Sequence, residues 1–233
     1  MQFRTKEDQI ADFLREEIIS GRIPRGARLK QQEVAERLNT SITPVREALK
    51  LLKAEGYLCG ASHQGLSVVP FDTDATAEIR DLRILLEGQL VEQAIRNITA
   101  SDIEKLRTLA ADFEAAADDP DSSRARGLNY RFHQRIYEVA KLPQTLYFVQ
   151  VLWARYPFDL INNVQGRVES SANEHAELLR NLVEGDAVNA LLSLRRHIDQ
   201  GWLTLRQVIE NTPPGNTTHL EVTGSPGLDS ISI

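Results

Sequence analysis

The stretch TSITPVREALKLLKAEGYL, residues 40–58, decides the fold of the N-terminal part of this chain. Pro44 lies in the first turn of a helix expected over 43–55, where a backbone N–H has no intrahelical partner to lose. Ser41 or Thr43 can cap that helix. Val45, Ala48, Leu49 and Leu52 recur at helical spacing and form a buried stripe. Gly56 fits the position just past the C-terminus. Arg46 falls opposite Ala48 and Leu49, so it reaches outward, and Lys50 shares that face one turn later. A helix start with free N–H groups suits a phosphate. An outward arginine has the fork that matches O6 and N7 of guanine, and a lysine beside it suits the nucleic-acid backbone. An ordinary amphipathic helix with a solvated Arg and Lys has the same pattern, so the flanking segments decide between the two.

Those flanks read as follows. Residues 6–20 place Ile10, Phe13, Leu14 and Ile18 at helical spacing up to Gly21. GRIPRGARL, 21–29, reads as a turn. Residues 31–38 make a short helix burying Val34, Ala35 and Leu38, broken by Asn39–Thr40–Ser41. YLCGASHQGLSVVPF, 57–71, reads as two short strands joined by a Gly-containing turn. Three helices followed by a hairpin is the order of a winged helix-turn-helix. From Asp72 onward the pattern is helical, with helices expected over about 73–97, 101–118, 122–140, 144–162, 167–184 and 187–210. Thr99 and Asp102 have capping-box spacing. The expected fold is therefore mainly α: a winged helix-turn-helix over 1–70, a six-helix all-α bundle over 71–211, and a flexible tail over 212–233, rich in Pro, Gly, Ser and Thr.

Composition narrows the setting. Of 233 residues, 42% are hydrophobic and 26% charged, which allows a buried core. The net charge of −6 is unevenly spread: residues 1–70 carry 11 Lys+Arg against 9 Asp+Glu, and the remainder 16 against 24. A single cysteine, Cys59, cannot form an internal disulfide and fits a cytoplasmic location. The mixed-charge N-terminus does not read as a signal peptide, and no apolar run reaches membrane-spanning length.

Three of the five histidines, His133, His175 and His197, fall on the apolar stripes of three different bundle helices. One such histidine is usually a hydrogen-bonded core residue. Three suggest convergence on a divalent metal such as Zn, Ni or Mn, held by imidazole nitrogens with coordination positions left open. Asn129, four residues before His133, shares its face.

GRIPRGARLKQQEVAERLNTSITPVREALKLLKAEGYL followed by HQGLSV resembles the DNA-binding domain of GntR-type bacterial transcription regulators over residues 6–70. The resemblance implies that Thr43 and Arg46 contact operator DNA from the recognition helix in the major groove, and that His63, Gln64 and Gly65 form a wing tip at the minor groove. Ile42 and Gln32 stand where such regulators commonly carry arginines, so the operator differs from the usual one; Ile42 can instead meet a thymine methyl. NYRFHQRIYEVA, NEHAELLRNLVEGD and LRRHID resemble the metal-binding FCD effector domain of the FadR branch, over about 72–210. That implies a metal held by an aspartate and three histidines. Here Asn129 takes the aspartate's place and lacks its charge, so the metal binds less tightly. Arg83 matches an arginine of the first helix of such domains. It is a candidate clamp for a carboxylate effector, or else the partner of Glu87 at i, i+4. Trp153, Arg155 and Tyr156 are candidates to line the same cavity.

The expectation is a DNA-binding transcription regulator, a repressor, whose operator affinity is set by a small organic acid on a divalent metal. A short helix-turn-helix needs two half-sites, which implies a homodimer. The alternatives are a metal-free regulator sensing an apolar or acyl ligand and, more remotely, a metal-dependent hydrolase; the sequence offers no general base for the latter.

Overall fold

A computed structural model describes residues 5–61, 65–70, 74–117, 119, 122–161, 164 and 166–211. Helix α1 (Lys6–Ile19) leads to strand β1 (Arg28–Leu29), α2 (Gln31–Arg37), α3 (Ile42–Ala54), β2 (Leu58–Ala61) and β3 (Gly65–Val68). The helical part follows as α4 (Thr76–Asn97), α5 (Ala100–Ala115), α6 (Ser122–Val139), α7 (Pro143–Arg155), α8 (Phe158–Ile161), α9 (Arg167–Glu184) and α10 (Ala187–Glu210). No helix among the described residues is long and apolar enough to cross a membrane.

Helix α3 buries the expected stripe: Val45, Ala48, Leu49 and Leu52 are all at most 1% exposed. Burial of a Val or Leu side chain is worth about 1.5–3 kcal/mol, so this stripe holds α3 firmly on α1 and α2. The turn before it passes through Asn39 at φ 45°, a left-handed conformation that asparagine tolerates. A buried ion pair crosses from α1: Arg15 Nη2 lies 2.9 Å from both carboxylate oxygens of Glu55 at the end of α3.

The wing is a three-stranded antiparallel sheet in the order β1-β3-β2. The expected turn over 21–29 thus contains a strand, with Arg28 opposite Ser67 and Leu29 opposite Leu66. Two residues are too few to show a strand period, and this one exists only through its pairing with β3. In β2, a Cβ at Gly60 (φ 105°) would lie 2.8 Å from the Gly65 carbonyl oxygen, so only glycine fits.

Thr99 and Asp102 form the expected capping box at the start of α5. The helix expected over 144–162 is broken: α7 ends at Arg155, Tyr156 is extended, and α8 is a single turn. Pro157 is the cause. It lacks an N–H for the helical ladder and disfavours helical backbone at the residue before it. Among the described residues, seven helices rather than six make up this part.

The two parts meet through α1, the turn after it, α6 and α8. Arg131 brackets the Glu16 carboxylate at 2.7 and 2.8 Å. The Arg126 side chain donates to the Ser20 carbonyl. Arg25 donates to Asp159 Oδ1 (3.2 Å), to the Tyr156 carbonyl (3.0 Å) and to the Val69 carbonyl (3.2 Å). The linker at 71–73, the wing-tip residues His63 and Gln64, and the tail over 212–233 lie outside the described residues.

Candidate metal centre and DNA-reading face

Helix α3 presents Ser41, Ile42, Thr43, Arg46 and Lys50 to solvent, on the side away from its buried stripe. Ser41 occupies the N-cap position without a side-chain cap bond, and Thr43 is already inside the helix, so neither caps it through its hydroxyl. Arg46 is half-exposed with Glu47 at 3.5 Å, and Lys50 pairs with Glu47 at 2.9 Å. Both are solvent-screened pairs that a stronger anion can displace. Gln32 is exposed on α2 and donates to Glu36 at 2.8 Å. Gly65 opens β3 at φ 93°. Lys53 donates to the Gly60 carbonyl at 2.6 Å, which ties α3 to the wing.

The three bundle histidines converge. His133 from α6, His175 from α9 and His197 from α10 are each at least nine-tenths buried. His133 Nε2 lies 3.2 Å from His175 Nε2 and 3.0 Å from His197 Nε2. Metal–nitrogen bonds of about 2.0–2.1 Å put cis ligand nitrogens about 3.0 Å apart at right angles and about 3.4 Å apart in a tetrahedron. The observed spacings fall within that range.

Hydrogen bonds on the far side of two rings fix where their lone pairs point. His197 Nδ1 lies 2.7 Å from Glu174 Oε2. That carboxylate also accepts two bonds from Arg167 Nη1 and one from Nη2, at 3.0–3.1 Å, so it can only accept from the ring. Tyr137 gives its proton to Glu87 Oε2 at 2.6 Å, leaving its oxygen to accept from His133 Nδ1 at 3.4 Å. Both rings therefore carry their proton on Nδ1 and aim Nε2 lone pairs at one point. Two acceptors 3.0 Å apart repel unless a cation or a proton lies between them. Burial disfavours the proton: it pushes His133 down to about 4, with Arg83 and Arg167 adding to the effect against Glu87 and Glu174. His175 and His197 are held well below the usual imidazole range, again chiefly by burial and then by neighbouring positive charge. Neutral imidazoles with convergent lone pairs are the donor set that a divalent metal requires.

Beside the histidines is a small pocket of about 20 Å³, lined among others by Arg83, Asn129, Tyr156, Arg167, Ser171 and His197. Asn129 and Arg83 thus share one cavity with a cluster histidine. Arg83 is paired as well as poised: its Nε donates to Glu87 at 2.7 Å, while its guanidinium lies over the rings of Tyr156 (4.6 Å) and Phe158 (4.9 Å). Burial would raise the Glu87 carboxyl, but the Arg83 charge and bonds from Arg83 and Tyr137 hold it below its usual value. Trp153 is buried and donates to Glu87 Oε1 at 2.8 Å, so it supports the site from behind. Arg155 is exposed, with its Nε facing Gly56, and takes no part in the cavity. Glu174, Arg167 and Tyr137 are the site residues that sequence reasoning missed. The i, i+7 spacing of Arg167 and Glu174, two turns on one helix face, was the available signal.

Residues 6–68 match the family model for bacterial regulatory proteins of the gntR family, and residues 78–200 match the FCD domain. The chain is 31% identical over 173 residues to the HTH-type transcriptional regulator McbR of Escherichia coli (strain K12), covering 72% of this chain and 78% of that protein. It is 31% identical over 137 residues to a probable D-xylose utilization operon transcriptional repressor of Paenarthrobacter nicotinovorans, over 59% of this chain and 60% of that one. The solved structure of E. coli McbR/YncC superposes with a TM-score of 0.76 at 26% identity, covering 88% of this chain and 99% of that one. These relatives are transcription regulators, and the hydrolase alternative falls with them. With both parts of the chain matched by these family models, this chain is a transcription regulator of the gntR family with an FCD effector domain.

Proposed function

We propose that this regulator is a cytoplasmic homodimeric repressor whose operator affinity is set by a small carboxylic acid bound at a divalent metal. The observation that carries this reading is the convergence of three buried Nε2 atoms, two of them oriented by hydrogen bonds on the opposite ring nitrogen. His133, His175 and His197 hold the metal, and Asn129 contributes its carbonyl oxygen as a neutral fourth ligand. The metal supplies a positive centre for an acid. Arg83 grips the same carboxylate through its end nitrogens, which make no hydrogen bond among the described residues, while its Nε stays on Glu87. The buried polar network argues against the alternative of an apolar or acyl ligand, because such a ligand would strip these groups of their solvent without replacing it.

On the DNA side, Thr43 and Arg46 read bases, Ile42 meets a thymine methyl, and Ser41, Gln32 and Lys50 hold backbone, with His63, Gln64 and Gly65 at the wing. Release of DNA follows if acid binding shifts the turn between α7 and α8. Tyr156 lies against Arg83 in the pocket, and its carbonyl accepts from Arg25 of the DNA-binding part.

The test of the metal reading is isothermal titration of tag-free protein with Zn, Ni and Mn. Wild type is expected to bind one ion per chain. Asn129→Asp should tighten binding by adding a charge, and His175→Ala should weaken it. Equal binding by all three proteins would place the metal elsewhere or nowhere.

A further inference from the structure

A second cleft, of about 350 Å³, lies in the DNA-binding part, between α1, β1 and α2. Its apolar lining is Phe13 and Leu14 from α1, Ile23 and Leu29 from the turn and strand that follow, and Val34 and Leu38 from α2 and its C-cap. Leu14, Ile23, Leu29 and Val34 are buried, so the core holds this wall in place. One polar group stands in it. Glu17 lines the cleft and is 3% exposed. Its Oε1 accepts from Arg22 Nε at 2.6 Å, whereas its Oε2 has no hydrogen-bond partner among the described residues. An ionised carboxylate accepts on both oxygens, and buried polar atoms seldom go without a partner. Lys30, Glu33, Glu36 and Arg37 edge the cleft, and Lys30 is already held by Glu33 at 2.6 Å. With Glu17, three carboxylates therefore face two cations around an apolar hollow.

We propose that this cleft is a binding site for a small amphipathic amine, with its apolar body on Phe13, Leu14 and Val34 and its ammonium on Glu17 Oε2. The volume falls in the range of ligand pockets, and an apolar wall with one placed charge is how such pockets orient a guest. An ammonium supplies both the missing donor and the missing positive charge. A neutral alcohol supplies the donor alone, and a carboxylate supplies neither. The last torsion of a glutamate is broad, so a small turn brings Oε2 to the guest. The site stands apart from the metal centre, and a guest in it bears on α2, which carries Gln32. It also bears on Arg22, which reaches Glu16 at 3.3 Å, the carboxylate that Arg131 of α6 brackets.

The experiment titrates methyl-labelled full-length protein with phenethylamine, phenethyl alcohol and phenylacetate at neutral pH, read by the methyl signals in NMR. Phenethylamine should move the Leu14, Ile23, Leu29 and Val34 methyls and bind roughly ten-fold more tightly than the alcohol, with phenylacetate the weakest. Glu17→Gln should bring the amine to within about three-fold of the alcohol and leave the affinity for the alcohol unchanged, a split that general loosening of the domain would not produce. Phe13→Ala should weaken amine and alcohol alike. If Glu17→Gln fails to fold, the ranking of the three probes in wild type and Phe13→Ala decides. An amine that binds no better than the alcohol, shifts confined to methyls of the helical part, or a full amine preference retained in Glu17→Gln would overturn the site. So would the absence of saturable shifts with any probe.

Discussion

Arg46 and Lys50 share one face of α3 but are expected to fail differently when removed. Arg46→Ala should cost about 1–3 kcal/mol on operator DNA and relax specificity at one base pair per half-site. Lys50→Ala should weaken binding to all sequences alike and reduce the salt slope by about one. Titrations at several salt concentrations distinguish the two, and wild-type affinity for Arg46→Ala would remove it from base reading. At the metal centre, Glu174→Gln should weaken Zn or Ni binding about 10–100-fold, because the orienting carboxylate loses its charge. Calorimetry that shows no change would make Glu174 merely the Arg167 partner. The outward arginine and the three histidines were legible from helical period alone, since each sits at a spacing that fixes its face. Arg167 was not assignable to this pocket in the same way, whereas Tyr156, a candidate for the cavity, does line it. An arginine two turns before a glutamate reads as a surface ion pair, and only tertiary packing buries it.

Long-range pairs decide more at the level of elements. Arg15 on α1 and Glu55 at the end of α3 lie forty positions apart, so no sequence window contains both. Each is about 3% exposed, and removing one partner leaves a buried charge. Arg15→Met should destabilise the protein by about 3–5 kcal/mol, read from the urea midpoint at constant slope. A loss under 1 kcal/mol would mean that the pair is solvated in solution. The break between α7 and α8 was readable in principle from Pro157, but the apolar pattern continues through Phe158, Leu160 and Ile161, and periodicity outweighed the proline. The short strand β1 left no signal to read, because its two residues are held only by their partners in β3. The capping box at Thr99 and Asp102 was fully local and therefore legible.

Across the whole molecule, the DNA-binding part and the pocket proposed to hold an acid communicate only if some element touches both. Arg25 is the clearest such link, because it reaches the Tyr156 carbonyl and Asp159 from the turn after α1. Arg25→Met is expected to retain metal binding while reducing the effect of acid on DNA affinity. Equal coupling in that variant would route the signal through the Arg131–Glu16 contact instead. Domain order and the helical character of the second part were legible in the sequence. The packing of one part on the other was not, because polar contacts between distant segments carry no periodic signature. On the proposed function, a metal-held acid and the operator are linked through this packing. The direct measurement is an anisotropy titration of operator DNA, recovered from a random pool, with Zn-loaded protein in the presence and absence of the tightest-binding acid. The expected result is a 5–150-fold weaker operator affinity with acid present, a coupling of about 1–3 kcal/mol, lost in His175→Ala. Superimposable curves with and without a saturating acid would contradict the account.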